Sequence, residues 1–282
     1  MLQAQLSKIG YHSVRSSTPV SGGSINDCYK VSTESDTVFV KIRKKGMLED
    51  MFQKEANGLD ALRGATSSLV IPEVIYKDED ILVLEYLESH PHLSTPGEEC
   101  GIGLAELHKL SSVEWGWKED NYIGTLPQIN SPLNDGTAFF IRHRLQELLK
   151  LINAFDKDEV LDEEKVKQYM QDNIDLRRMS LLHGDLWGGN AFRCADGRGA
   201  IFDPAVYYGH PEIDLSMTMM FGGFSSAFYH AYEEEMGLDG SWRERVQFWN
   251  LYPLLVHAVL FGGTYVTELR TTLSYFGFIK RQ

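Results

Sequence analysis

The chain has 282 residues, of which 43% are hydrophobic and 24% charged, and its formal net charge is −13. This composition is typical of a globular protein and excludes a disordered, collagen-like or fibrous chain. Because affinity for a nucleic-acid backbone comes from clustered Lys and Arg, the acidic balance disfavours a general nucleic-acid binder.

The cysteines and the apolar runs indicate where the protein resides. The three cysteines, Cys28, Cys100 and Cys194, are scattered and offer neither a disulfide framework nor a zinc site, which is typical of a reducing compartment. No secretory signal is visible, and no apolar run reaches the ~20 residues of a membrane span. We therefore expect a cytoplasmic protein that does not bind membranes.

The first third of the chain predicts five strands and one helix. Residues 47–64 carry apolar side chains at three-to-four-residue spacing, which predicts a helix that Gly64 ends. The strands are short runs rich in β-branched and aromatic residues, and the first three suggest an antiparallel meander. They are predicted at 11–20, 24–33, 37–44, 71–77 and 81–87.

After Leu87 the pattern changes. Residues 89–99, SHPHLSTPGEE, contain two prolines and no periodicity, as a connector does. Helical patterns then dominate, at roughly 97–110, 136–154, 160–179, 212–236 and 241–275. The sequence therefore predicts an α+β chain with two lobes. An antiparallel five-stranded sheet and one helix form the first lobe at 1–87, and a mostly helical lobe follows at 88–282.

One polar, glycine-rich segment, LLHGDLWGGNAFRCADGRGAIFDPA, interrupts the helical patterns. Asn190 follows Asp185 by five residues, and Asp203 follows a short apolar strand, a spacing that resembles a kinase-type phosphotransfer site. Such a site needs a carboxylate that accepts the proton of the attacking hydroxyl, and oxygen ligands that hold Mg²⁺. Asp185 is the candidate catalytic base, and Asn190 and Asp203 are the candidate metal ligands. The alternative is a loop in which these side chains form local turns.

Lys41 lies in the predicted strand at 37–44, where a lysine that contacts phosphates would be placed, and Glu55 on the following helix is its candidate ion-pair partner. A lysine in a strand is more often an exposed edge residue. The order of Lys41 and Glu55 before the three polar residues of the second lobe favours the nucleotide-binding interpretation.

Two further segments are candidates for nucleotide binding. Gly22, Gly23 and Ser24 lie between the first two strands, where backbone N–H groups could approach phosphates, although any hairpin can use such glycines. At the end of the last predicted strand, the Glu85 carbonyl and the Leu87 N–H, on either side of Tyr86, could contact adenine. A plain edge strand that enters a linker is the alternative.

These residues resemble the fructosamine kinase family, also called ketosamine-3-kinases, within the larger group of aminoglycoside phosphotransferases and choline kinases. The resemblance extends over nearly the whole chain. It rests on LLHGDLWGGN at 181–190, DPAVYYGHPEIDLSM at 203–217, FGGF at 221–224 and DNYIG at 120–124. It implies a protein-kinase-like fold, the cofactors ATP and Mg²⁺, and transfer of a phosphoryl group to the 3-hydroxyl of a ketosamine in deglycation repair. The ketosamine would be a small molecule or linked to a protein.

Several residues are expected around the acceptor. The ring of Trp187 could cover a sugar, although it could equally pack in the core. Asp120, Asn121 and Tyr122 could reach the substrate, or could form a turn.

Two other residues are expected to support the catalytic loop. By the resemblance, Asp214 braces the backbone of the catalytic loop, with a helix-capping role as the alternative. His183 is expected to hold that loop rather than act as the base, because Asp185 already fills that role.

Two alternatives of function remain. The first is a kinase for another small hydroxyl compound, such as an aminoglycoside, choline or a sugar. The second is a pseudokinase that binds nucleotide and acts as an interaction module, which the intact set of polar residues argues against. A protein kinase is disfavoured because Asp203 is followed by Pro204 and Ala205 rather than by the D-F-G sequence. The sequence leaves the oligomeric state open.

Overall fold

In the computed structural model, residues 2–11, 13–20 and 26–281 are described. The strands, numbered in chain order, are β1 (Val14–Pro19), β2 (Asp27–Thr33), β3 (Thr37–Ile42), β4 (Leu69–Val70), β5 (Val74–Lys77), β6 (Ile81–Glu85), β7 (Asn121–Ile123), β8 (Leu126–Gln128), β9 (Glu159–Leu161), β10 (Ser180–Leu182), β11 (Ala191–Arg193), β12 (Gly199–Ile201), β13 (Tyr207–Gly209) and β14 (Ile279–Arg281).

The helices are numbered in the same way. They are α1 (Leu2–Lys8), α2 (Met51–Arg63), α3 (Glu98–His108), α4 (Gly136–Phe139), α5 (Glu147–Leu149), α6 (Glu163–Asn173), α7 (Glu212–Met220), α8 (Ser226–Met236), α9 (Val246–Trp249), α10 (Leu251–Phe261) and α11 (Thr264–Tyr275). A π-helical segment (Phe140–Gln146) joins α4 to α5, and a 3₁₀ turn (Ser241–Arg245) precedes α9.

Strands β1, β2, β3, β6 and β5 form one antiparallel sheet in that order, which confirms the predicted five strands. Successive side chains of a strand point to opposite faces of the sheet. On one face, Val38, Val40 and Ile42 of β3 pack in a core together with α1, a helix that the sequence did not predict. Lys41 points to the other face, where it meets α2.

Helix α2 begins at Met51, four residues later than the predicted start at Met47. The Met47 N–H donates to the Lys44 carbonyl, and the Arg43 guanidinium donates to the Met47 carbonyl at 3.0 Å. The backbone of Met47 therefore belongs to a turn before the helix. The predicted end is confirmed, because α2 ends at Arg63 and Gly64 caps it.

An apolar core joins α2 to the helical part of the chain. Phe52 and Leu59 of α2 share this core with Leu104 and Leu107 of α3. Strand β4 also crosses from the first third, because it pairs in parallel with β12. The boundary at residue 87 stays a prediction, and the packing shows that the two parts are held together along α2.

The second part is mostly helical, as predicted, but its two longest predicted helices are divided. The pattern at 212–236 contains α7 and α8, separated at Gly222 and Gly223, and the pattern at 241–275 divides at Gly262 and Gly263 between α10 and α11. All four glycines have φ between 58° and 100°. This left-handed backbone interrupts a right-handed helix, which the apolar periodicity does not reveal.

Two further helix predictions need correction. The pattern at 160–179 begins as β9, which pairs with β14, and only residues 163–173 are helical. The pattern at 136–154 ends at Leu149 and includes the π-helical segment. The first residues of the pattern at 160–179 are extended because β9 pairs with β14, a strand at the far end of the chain. None of the helices in the described ranges has the length and apolarity needed to cross a lipid bilayer.

Candidate active site

Two connections between strands bring the predicted catalytic residues together. The loop 183–190 connects β10 to β11, and the segment 202–206 connects β12 to β13. Because β10 pairs with β13 and β11 pairs with β12, both connections lie at the same place. Two backbone hydrogen bonds join them, from Ala205 N to His183 O at 2.8 Å and from Phe202 N to Asn190 O at 3.0 Å.

The buried carboxylate of Asp214, on α7, holds the backbone of the catalytic loop. One of its oxygens accepts the His183 N–H at 2.7 Å, and the other accepts the Gly184 N–H at 2.9 Å. His108 of α3 contacts the first oxygen through Nε2 at 3.1 Å, and its Nδ1 lies 2.6 Å from the hydroxyl of Tyr232. The loop that carries the candidate base is therefore fastened to α3, α7 and α8.

The side chain of His183 supports the same loop. Its Nε2 donates to the Phe202 carbonyl at 2.9 Å, and its Nδ1 accepts the Asp185 N–H at 3.2 Å. Burial lowers the pKa of His183, which suits a neutral ring with one donor and one acceptor nitrogen. These contacts use both ring nitrogens for the loop and leave Asp185 as the group that faces the cavity.

The backbone is constrained at two positions of the site. Gly184 has φ 81°, and a Cβ there would lie 2.1 Å from the Ala205 carbonyl oxygen. Asp203 is the only non-glycine residue with positive φ (57°) among the described ranges. Such conformations cost free energy and persist where the surrounding structure holds them, which is common at functional sites.

Asp185 and Asn190 are in direct contact. The Asn190 amide donates to the Asp185 carbonyl at 2.9 Å and to the Asp185 carboxylate at 3.1 Å. Burial, and secondarily the charge of Asp203, raise the pKa of Asp185 well above its usual value. A carboxylate with a raised pKa is a better proton acceptor than an ordinary one.

Lys41 connects the sheet to the catalytic loop. Its ammonium donates to Glu55 on α2 at 2.7 Å and also to Asp203. Burial alone would lower the pKa of Lys41, but the two carboxylates outweigh it and raise the pKa. Burial also raises the pKa of Glu55, to about 7, against the opposing charge of Lys41. The predicted Lys41–Glu55 pair is present, and it reaches the candidate metal ligand.

These side chains line a cavity of about 450 Å³ between the sheet and the helical part. Of the predicted site residues, those in its wall are Lys41, Glu55, Asn121, Tyr122, Asp185, Trp187, Asn190 and Asp203. Glu85, Tyr86, Leu87 and Asp120 do not line it. Gly22, Gly23 and Ser24 lie outside the described residues.

The segment 120–122 has three different placements. Asp120 accepts the Asn130 N–H at 2.7 Å. The buried Asn121 amide donates to the Val206 carbonyl at 2.9 Å, and its oxygen accepts hydrogen bonds from neighbouring amides. Tyr122 donates to Asp50 at 2.6 Å and lines the cavity. Asn121 and Tyr122 therefore line the cavity, and Asp120 does not.

The predicted adenine-binding residues lie at the end of β6. Glu85 is the last residue of this strand, and its N–H donates to the Glu73 carbonyl at 2.9 Å. The ammonium of Lys30 lies 4.2 Å from the centre of the Tyr86 ring. The connector then pairs with the second part, where Ala195 N donates to the Glu88 carbonyl. Adenine contact by this segment stays a prediction.

Helix α10 supplies a wall of the cavity that the sequence did not predict. Val256, His257, Leu260 and Phe261 line it. His257 is oriented by its Nδ1, which donates to the Pro253 carbonyl at 2.7 Å. No motif marks these residues, because they reach the cavity only through the packing of an otherwise apolar helix.

The oxygen donors of the site suit magnesium. In the described ranges no cluster of three or more His, Cys, Asp and Glu side chains forms a metal cage. Mg²⁺ in phosphotransfer sites is bound by one or two protein oxygens together with phosphate oxygens. Because the Asn190 nitrogen is used by Asp185, its oxygen remains for a cation beside the Asp203 carboxylate. The residues present therefore fit the ion.

Comparisons with known proteins agree with this geometry. The family model of fructosamine kinases matches residues 2–276. The ketosamine-3-kinase of Mus musculus is 31% identical over 292 residues, covering 92% of this chain and 94% of the relative. A protein of Synechocystis named as a probable ketoamine kinase is 37% identical over 262 residues, covering 90% of this chain and 88% of the relative.

Solved structures share the fold. A candidate fructosamine-3-kinase from Thermobifida fusca YX-ER1 has a TM-score of 0.83 and 29% identity, and the match covers 98% of each chain. A macrolide 2'-phosphotransferase from Brachybacterium faecium, at 13% identity and a TM-score of 0.61, shares the kinase-like fold alone; the match covers 100% of this chain and 99% of that one. The expected resemblance and fold class are confirmed. The chain belongs to the fructosamine kinase family, and it is a phosphotransferase with a hydroxyl group as acceptor.

Proposed function

We propose that the protein transfers the γ-phosphoryl group of ATP to the 3-hydroxyl of a ketosamine, a fructosamine or ribulosamine, with Mg²⁺ as cofactor. The observation that carries this proposal is the convergence of Lys41, Asp185, Asn190 and Asp203 on one cavity. These are a phosphate-binding cation, a proton acceptor and two oxygen ligands, which are the parts that phosphoryl transfer requires.

Each residue has one role in the proposed reaction. Lys41, held by Glu55, binds the phosphates of the nucleotide. Asn190 and Asp203 hold Mg²⁺, which neutralises the charge of the phosphates when it is bound. Asp185 accepts the proton of the acceptor hydroxyl while the oxygen attacks the γ-phosphorus and ADP leaves. Residues 1–87 act as the nucleotide lobe, and residues 88–282 carry the catalytic and acceptor groups.

The acceptor end of the cavity suits a polyol joined to an amine. Trp187 lines it beside Asp185, and its ring meets Phe221 edge to face at 6.0 Å between centroids. The ring centroids of Phe221 and His257 are 5.0 Å apart. Aromatic faces cover the apolar side of sugars and attract protonated amines. A ketosamine, free or linked to a protein, fits this surface.

The phosphorylated product indicates a repair role. A ketosamine 3-phosphate is unstable and releases the amine, so the reaction would reverse glycation. The cysteines are compatible with a reducing, cytoplasmic site of action, because Cys28, Cys100 and Cys194 are all free thiols.

The test is an acceptor panel with purified protein and Mg-ATP. It includes free fructosyl-lysine, ribulosyl-lysine, a glycated protein, choline, an aminoglycoside and a simple sugar. We expect ADP release with the ketosamines and not with the other compounds, and ³¹P NMR should locate the new phosphate on O3. Turnover with choline or the aminoglycoside alone, or with no ketosamine, would refute the substrate assignment. Asp185→Asn protein serves as the inactive control.

A further inference from the structure

Helix α2, which carries Glu55, donates two hydrogen bonds to one carboxylate of the second part, that of Glu119. Lys54 Nζ donates to one oxygen of Glu119 at 2.8 Å, and Asn57 Nδ2 donates to the other oxygen at 2.7 Å. Residues three apart lie on the same face of a helix. Glu119 therefore binds α2 on both sides of Glu55 along the chain and resists its rotation as well as its translation.

A second anchor lies at the start of the helix. The hydroxyl of Tyr122, on β7, donates to the Asp50 carboxylate at 2.6 Å, and Asp50 directly precedes α2. Tyr122 follows Glu119 by three residues, so one short segment of the second part contacts α2 at both its start and its middle. Burial, and to a smaller extent the hydrogen bond to Asp50, raise the pKa of Tyr122 to about 12. The hydroxyl therefore stays protonated and remains a donor.

The helix also packs directly against the segment that carries Asp203. A Cβ at Gly58 would lie 3.1 Å from Cγ of Pro204 and 3.6 Å from Val206. Helix α2 therefore packs closely on the residue after Asp203, with little room for a side chain at position 58. The position of Glu55 relative to Asp203 depends on how α2 rests on this segment.

The carboxylate of Glu119 is suited to this role. Burial would raise its pKa, but the hydrogen bonds from Lys54 and Asn57 outweigh it and lower the pKa, which keeps the group ionised. The exposed fractions of the Glu119 and Lys54 side chains are 24% and 21%, so the pair is partly shielded from water. Partly shielded charge-assisted hydrogen bonds hold geometry better than exposed ion pairs.

We infer that Glu119 is a positioning residue for phosphotransfer, which holds α2 through Lys54 and Asn57 so that Glu55 keeps Lys41 beside Asp203. This inference rests on the proposed function only because its effect is measured through the kinetics of ketosamine phosphorylation. Glu119 itself does not line the cavity, and its hydrogen bonds go to two residues of α2, of which Lys54 lines the cavity and Asn57 does not.

The experiment is a double-mutant cycle between Glu119→Gln and Glu55→Gln. For each variant, kcat and KM are measured for Mg-ATP and for the ketosamine, together with thermal unfolding. Glu235→Gln is the control, because the Glu235 carboxylate of α8 pairs with Lys109 at 2.9 Å on the surface and has no hydrogen bond to α2 in the described residues. Asn57→Ala, which removes the other hydrogen bond to the same carboxylate at a residue outside the cavity wall, replaces Glu119→Gln if that variant fails to fold.

We expect Glu119→Gln to lower kcat/KM for Mg-ATP by roughly three- to tenfold, the size of a partly shielded coupled pair. In the Glu55→Gln background the same change should have almost no further effect, and Glu235→Gln should behave as wild type. Wild-type kcat/KM in Glu119→Gln, or an equal loss in both backgrounds, would overturn the inference. If wild-type protein phosphorylates no ketosamine, the proposed function fails, and the same cycle is then measured as the Kd of Mg-ATP by calorimetry.

Discussion

The Asn190 side chain donates a hydrogen bond to the Asp185 carboxylate over 3.1 Å, which joins the candidate base to a candidate metal ligand. The bond holds one Asp185 oxygen toward Asn190. In the proposed reaction the other oxygen would accept the proton of the acceptor hydroxyl. The same amide also donates to the Asp185 carbonyl at 2.9 Å. The turn between the two residues is therefore closed by hydrogen bonds to both the backbone and the side chain of Asp185.

Asp185→Asn tests the proton acceptor. An amide cannot accept the hydroxyl proton, so we expect kcat to fall by about 10²-fold or more. The affinity for Mg-ATP should change little, because Lys41 and Asp203 remain. Steady-state kinetics and nucleotide calorimetry measure the two effects. Wild-type kcat in this variant would show that another group accepts the proton.

Asp203→Asn tests the metal site. Replacing the carboxylate by a neutral amide should raise the Mg²⁺ concentration for half-maximal turnover by roughly tenfold or more. Chelation of Mg²⁺ with EDTA should abolish the turnover of wild-type protein. Asp196→Asn is the control, since Asp196 is exposed and pairs with Arg198 in a turn. An unchanged Mg²⁺ dependence in Asp203→Asn would remove Asp203 from the metal site.

Trp187→Ala tests the acceptor surface. Loss of the ring should raise KM for the ketosamine by roughly tenfold, the size of one aromatic contact, and leave KM for ATP unchanged. Trp187→Phe keeps a ring and should lose less. The two KM values are measured separately with each substrate saturating in turn. A change confined to the ATP parameters would show that Trp187 does not contact the acceptor.

His210 predicts an acid-dependent loss of stability. Burial lowers its pKa to about 4, against the charge of Glu212. The unfolded chain binds a proton at this histidine below pH ~6.5 and the folded chain does not, so stability falls as the pH drops from ~6.5 to about 4. The difference corresponds to about 3 kcal/mol of unfolding free energy.

The matched variant for this pH dependence is His210→Asn. Nδ1 of His210 accepts the Glu212 N–H at 3.3 Å, and an asparagine oxygen can take that place. The variant should be less stable near pH 7, because the stacking of His210 on Trp249 is lost. Its unfolding free energy should fall less steeply with acid than that of wild type in urea titrations between pH 7 and 4. Equal slopes would contradict the assignment.

Local patterns predicted the elements that carry chemistry. The alternation of β3 places Lys41 opposite its buried neighbours, and the helical spacing after it places Glu55 within reach. The loop 183–190 is short and contains both Asp185 and Asn190, so their proximity follows from spacing alone. Helix boundaries were less predictable, since a left-handed glycine or a strand partner far along the chain ended them.

The sequence did not predict the α10 residues that line the cavity or the Glu119 anchor of α2. Val256 and His257 lie on the apolar helix α10, whose periodicity is the same whichever surface the helix covers. The sequence pattern therefore does not indicate that these residues line the cavity with Asp185. Glu119 is one of many acidic residues until folding brings Lys54 and Asn57 to it. Short-range spacing predicts the Lys41–Glu55 pair and the contact of Asp185 with Asn190, because the members of each pair are close in the chain. Only folding brings Lys41 to Asp203. The shape of the acceptor pocket and the placement of α2 arise from contacts between distant segments, which depend on packing of the whole molecule.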